Sequence, residues 1–204
     1  MRLTANLHLS SFEQQIIHDT DWIRTKNSLL GKVVDMMAVL SERQQAYLIQ
    51  ENLRLRLPAT SPKISKGEKY EGLPYIILDF PRVFSKQDVF AIRTMFWWGK
   101  YFSVTLHLKG TFIQQYQSVI HRNLDADNPY DLRISTGERE WMHDLDAADW
   151  QMASPEILVK PIEYPFLKIA QKVDFLGEEP VEDVLFSGYK RMLKLLDEDQ
   201  LPKR

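Results

Sequence analysis

Acid or base chemistry near neutral pH needs a side chain that exchanges a proton there. With no cysteine in this chain, histidine is the natural one. Among the five histidines, His107 has the neighbours from which a site is made: Arg82, Arg93, Trp98, Tyr101 and Thr105 all fall between Asp79 and His107. Arginines hold carboxylates and phosphates through planar, charge-assisted hydrogen bonds, and rings interleaved with hydroxyls are the composition of small-molecule pockets. One expectation is therefore a ligand-binding groove that draws on Arg82, Arg93, Trp98, Tyr101, Thr105 and His107, with His107 as candidate general base and either arginine as an anion clamp. The plainer reading is a covered sheet in which threonines and rings pair across strands, and it is preferred. For Arg93 the preferred partner is a structural carboxylate, because an unpaired guanidinium on an apolar face is costly.

Other constellations carry less. His143-Asp144-Leu145-Asp146, completed by His121 or Asp125, contains metal-donor atoms, but strand alternation would send His143 and Asp144 to opposite faces, so no metal is assigned. The eight glycines are scattered, and Gly-x-Gly-x-x-Gly, phosphate-loop, Gly-x-Ser-x-Gly and His-Glu-x-x-His spacings are all missing. No cofactor is expected. The stretch from Pro58 to Pro74, with Lys63, Lys66 and Lys69, reads as a long solvated loop, and Asn123 to Tyr130 as an acidic surface turn.

Charge and composition bound the partners. The 26 Lys plus Arg against 28 Asp plus Glu give a net charge of -2, without the basic excess that draws in nucleic acid or an anionic membrane. With 44% hydrophobic residues the 204-residue chain is expected to fold around a packed core. No apolar run approaches the roughly 20 residues of a membrane span, and Met1 to Ser10 lacks the apolar centre of a signal peptide, so a soluble cytoplasmic protein is expected.

The elements that must position these residues follow from periodicity. Capping-box spacing at Ser11/Gln14 and at Ser41/Gln44, with apolar positions at three-to-four spacing from Trp22, predicts a helical hairpin over residues 1–57, the second helix ending at Pro58. Residues 64–145 read mainly as antiparallel strands with one inserted helix at about 111–122. Tyr75 to Phe80 is a strand, and Phe90 to Trp98 with Tyr101 to Leu108 form a hairpin turning at Gly99-Lys100. A two-residue turn puts Trp98 opposite Tyr101, Trp97 opposite Phe102 and Arg93 opposite Leu106. Arg93 then shares a core face with Met95, Trp97, Phe102, Val104 and Leu106, while Trp98, Tyr101, Thr105 and His107 share the other. A second hairpin is expected between Tyr130 to Ser135 and Glu138 to His143, with Arg133 opposing Glu140. Residues 154–198 read as helical, starting at Ser154-Pro155-Glu156 and ending in a helix from about Pro180 to Leu196. The class is α+β in one domain, 1–204. The functional expectation is a non-catalytic module that binds a small molecule or a protein. The alternatives are a hydrolase or transferase acting on an anionic substrate, and a self-associating protein that forms a homodimer through its N-terminal helices.

Overall fold

The computed structural model describes residues 7–50, 57–126, 132–154, 157, 165–175 and 177–198. They form an α+β fold built on one seven-stranded antiparallel sheet. The strands are β1 (Lys63–Tyr70), β2 (Leu73–Phe84), β3 (Val89–Trp97), β4 (Tyr101–Lys109), β5 (Leu132–Ser135), β6 (Trp150–Met152) and β7 (Phe166–Val173), in the order β1-β2-β3-β4-β7-β5-β6. One face is covered by α2 (Thr20–Gln50), α3 (Thr111–Ala126) and α4 (Val181–Leu195), while α1 (Ser11–His18) precedes them. The strand alternation feeds Ile76, Leu78, Phe90, Ile92, Phe96, Phe102, Val104, Leu106 and Leu108 into that helix-covered core, where Met37, Leu40, Tyr116, Ile120, Leu185 and Tyr189 meet them. Helix α4 sits close on β4 because Gly188 has no side chain: a Cβ there would lie 3.1 Å from Val104 Cγ2.

Several expectations are corrected. The break between the two N-terminal helices falls at Asp19, not at Ser41. Ser41 and Gln44 are buried inside the continuous 31-residue α2, and the capping box forms at Ser10/Glu13. Residues 51–56 lie outside the described residues. The stretch expected as a lysine-bearing loop contains the edge strand β1, which pairs with β2 from Lys63↔Asp79 onward. Asn123 sits within α3, buried, and its amide donates to Lys194 O at 3.0 Å and Asp197 O at 2.9 Å, carbonyls at the end of α4. The helix expected at Ser154-Pro155-Glu156 falls largely outside the described residues. Beyond it the expected helical segment is interrupted by β7, whose Leu167, Ile169 and Val173 face the helices. Residues 138–143 form no strand among the described residues: β5 pairs with β6 and β7 instead, and Arg133 meets Asp146 at 3.4 Å rather than Glu140.

The most consequential correction is a shift of one residue in the β3–β4 hairpin. The loop has three residues, not two, closed by the Lys100 N–H donating to Trp97 O at 3.1 Å, with Gly99 at φ +70 in the third position of the turn. Trp97 therefore pairs with Tyr101, Phe96 with Phe102 and Arg93 with Thr105. Because side chains alternate, one residue of slip exchanges the two faces of β4 relative to β3. Phe102, Val104 and Leu106 go to the helices, and Tyr101, Ser103, Thr105 and His107 join Arg93 on the opposite face. No described helix is long and apolar enough to cross a membrane.

Candidate functional site

The face of the sheet away from the helices is unusually polar for a buried surface. Its rows can be read from the register: Asp79, Arg93, Thr105, Ala170 and Arg133 lie side by side, as do Ala91, His107 and Lys168. Asp79, Thr105, His107 and Lys168 are all buried. What covers them is the segment 136–149, which has turns but no helix or strand.

An irregular cover brings backbone groups that cannot bond within themselves and must find partners elsewhere. Here the sheet's side chains supply them. The His143 N–H donates to Tyr70 Oη at 2.7 Å and the Leu145 N–H to Tyr101 Oη at 2.6 Å. Lys168 Nζ donates to Glu140 O at 3.0 Å and Met142 O at 2.5 Å, and Arg133 Nη1 donates to Leu145 O. Tyr101 is thus an anchor for the cover, and burial together with Asp144 and Asp146 pushes its phenol above the ordinary range. Tyr101→Phe removes the acceptor of a buried amide. It is expected to cost about 1 to 3 kcal/mol in denaturant titration and to speed hydrogen exchange at Leu145. Unchanged exchange there would refute the anchoring role.

Five charged groups and two histidines meet where this cover lies on the sheet, Glu140 and His143 coming from the cover itself. Arg93 donates from Nε and Nη2 to Asp79 Oδ1 and Oδ2 at 2.7 and 3.0 Å, the fork geometry of a bidentate pair, with side chains 12% and 7% exposed. This is the structural carboxylate the sequence reading preferred for Arg93. Its Nη1 lies 3.1 Å from His143 Nε2. A guanidinium only donates, so Nε2 accepts and the ring carries its proton on Nδ1. His143 is correspondingly held well below the ordinary histidine range by burial, then by Lys168 and Arg93. His107 is also pushed far down by burial, then by Lys168, Arg93 and Lys109. Glu140 Oε1 approaches His107 Nε2 to 3.3 Å, but neither atom makes a hydrogen bond, so the alignment is poor and this is a close polar contact only. The other Glu140 oxygen accepts from Lys109 Nζ at 2.8 Å. Lys168 is drawn down to about 7, by burial first and Arg93 second, against the opposing pull of Glu140.

Beside this network a cleft of about 310 Å³ opens between the β1–β2 edge and the cover. Lys63, Ser65, Asp79, Arg82, Phe84 and Arg93 line it, with Trp141 on the cover side. Arg82 and Arg93 are brought together because the irregular register between Asp79 and Arg82 sets Arg82 opposite Ala91, on the same face as Arg93. Arg82 donates from Nε to Ser61 O at 3.2 Å. Among the described residues no carboxylate pairs with Arg82 or Lys63. The rings of Phe84 and Trp141 stand 6.1 Å apart, each with the Arg93 guanidinium within 5.8 Å of its centroid.

Of the six residues predicted from sequence, only Arg82 and Arg93 line this cleft. Tyr101, Thr105 and His107 are buried, His107 with Trp141 against it at 5.3 Å between rings. Trp98 is half-buried in the turn and packs against Phe96 on the helix side, away from Tyr101. The common aromatic face expected for Trp98 and Tyr101 is thus divided between the two sides of the sheet. Lys63, Phe84, Glu140, Trp141 and Lys168 are the participants the sequence reading missed. The signal for Lys168 was the alternation of Leu167, Ile169 and Val173, which marks β7 and sends its lysines to the other face. Among the described residues no three acidic or histidine side chains converge as a metal site: His143 faces Arg93, Asp146 pairs with Lys172 at 2.9 Å, and Asp144 accepts from the Asp146 N–H at 3.1 Å. Compared with family models, with curated proteins and with solved structures, the chain matches none.

Proposed function

We propose that this chain is a binding protein for a small anionic molecule, held in the cleft at the β1–β2 edge by Arg82 and Lys63, with Arg93 at the floor and Phe84 and Trp141 as apolar walls. The observation that carries the reading is the cation excess in a concave site. Three cationic side chains line the cleft against one carboxylate, and that carboxylate, Asp79, is already committed to Arg93. Lowered water content and converging donors strengthen such charges toward an anion. The terminal guanidinium nitrogens of Arg82, whose Nε is held by Ser61 O, suit a carboxylate or phosphate group.

Support for catalysis through His107 is thinner. The ring is buried, neutral and covered by Trp141, and it does not line the cleft, so it has no reach to a molecule bound there. Calorimetric titration with inorganic phosphate, citrate and benzoate tests the binding reading. At least one anion is expected to bind, and Arg82→Ala to weaken it by roughly tenfold or more, about 1.4 kcal/mol, while leaving the melting temperature of the free protein nearly unchanged. If none of the three binds, or if Arg82→Ala binds as the parent does, the cleft is not an anion site.

A further inference from the structure

The N-terminal helices leave several large apolar side chains uncovered. Helix α1 buries no residue: Phe12 is 69% exposed and Ile17 62%, and Leu7 just before the helix is 82% exposed. In α2, Trp22 and Ile23 are 52% and 43% exposed, yet they fall on the same helical stripe as Met37 and Leu40, which are fully buried against the sheet. Leu30, Val33, Val34 and Met36 already pack against the core, so the uncovered stretch of the stripe is the first ten residues of α2, about 15 Å of helix.

Two physical arguments indicate that this stripe has a partner, and which one. Helix α1 spans eight residues and has a complete capping box, but isolated helices shorter than about 12 to 15 residues are marginal in water. A cap worth about 1 kcal/mol does not close that gap, and tertiary packing on the exposed face would. The area is also of the right size. Seven large side chains (Leu7, Phe12, Ile16, Ile17, Trp22, Ile23, Leu29), each 43% exposed or more, present roughly 700 Å² per chain, close to the about 800 Å² per partner of a standard interface and more than most monomers leave uncovered. A membrane surface fits less well, because Ser11 to Leu29 carries Glu13, Asp19 and Asp21 against Arg24 and Lys26 and so lacks the basic excess that meets anionic headgroups. The rim holds both signs, Asp21 beside Arg24, so two identical surfaces would not meet as like charges.

We propose that two copies of this chain pair through α1 and the first third of α2 about a two-fold axis, burying Phe12, Ile17 and Trp22 of each against the other. Light scattering on the full chain is expected to give twice the 24.0 kDa of one chain at concentrations of about 50 µM, within the range that standard interfaces reach. Ile17→Asp with Trp22→Asp should halve that mass while the circular dichroism of the sheet core and the denaturant midpoint of the monomer persist. Should the double variant fail to fold, Phe12→Glu alone reports the same loss as at least a tenfold weaker dimer. A parent chain that is monomeric at that concentration overturns the pairing. So does a dimer untouched by these variants, or a parent that sediments with phosphatidylcholine–phosphatidylserine vesicles where the variant does not.

Discussion

Asp79→Ala is expected to lower the unfolding free energy by about 3 to 5 kcal/mol, measured by urea titration at neutral pH. The size follows from what is left behind. Arg93 is 12% exposed and cannot give up its charge, and Asp79 takes two of its hydrogen bonds. Without the carboxylate, His143 is the guanidinium's one remaining hydrogen-bond partner among the described residues, a neutral acceptor, and the Lys168 charge nearby repels it. Removing both partners together is a different matter. Asp79→Leu with Arg93→Met deletes the buried charge altogether and should lose clearly less than Asp79→Ala alone, because the cost lies in the orphaned ion and not in the absence of the pair. A double variant as unstable as the single one would show that the packing of these side chains, not their charge, carries the effect.

The second large effect concerns pH. His107 and His143 have folded-state pKa values well below the ordinary histidine value of about 6.5. The unfolded chain therefore takes up protons, as pH falls through about 6.5, that the folded chain refuses. Stability contributed by keeping these rings neutral is present above that pH and is lost below it, at up to about 1.4 kcal/mol per pH unit for each histidine. Lys168 acts in the same direction at higher pH. Its folded pKa of about 7 lies below the ordinary lysine value, so between about 7 and 10.4 the unfolded state holds the extra proton and stability rises with pH. The combined expectation is a urea midpoint that climbs from acid to alkaline pH and continues to climb beyond the pI of about 6.2. His107→Gln should flatten the acid limb and Lys168→Met the alkaline limb. A parent whose midpoint is constant or falling between about pH 7.5 and 9.5 would contradict a lysine buried near its neutral form.

Both effects come from one structural decision. Helices can cover a sheet with apolar side chains because their own backbone is satisfied, and the Phe90, Ile92, Val104, Leu106 face is apolar for that reason. The segment 136–149 sets Leu145 against Ile77, Met95 and Trp97 in a smaller apolar cluster, but its backbone has no regular internal hydrogen bonding. Tyr70, Tyr101, Arg133 and Lys168 hold its amides and carbonyls, and buried polar side chains in turn need the counter-charges found around Arg93 and Glu140.

How much of this was legible in the sequence depends on the range of the interaction that decides each part. Periodicity is a local property of the chain, and it was enough for the α+β class, for strands at Tyr75 to Phe80, Phe90 onward and Tyr101 onward, for helices near 111–122 and 180–196, and for a carboxylate partner to Arg93. It offered Arg82 or Arg93 as an anion clamp, and the irregular register of β2 brings both to the cleft. What periodicity could not give was register and cover. A hairpin loop of two residues and one of three are both compatible with Trp98-Gly99-Lys100, yet the difference reverses which side of β4 each residue faces, and with it the surroundings of His107, Thr105 and Tyr101. The segment after Gly137 alternates like a strand but cannot pair with β5 as a hairpin, because both edges of β5 are taken by β6 and β7. Period and charge are written along the chain, whereas register, edge availability and the choice between a helical and an irregular cover depend on residues far apart in sequence, and only their packing decides among them.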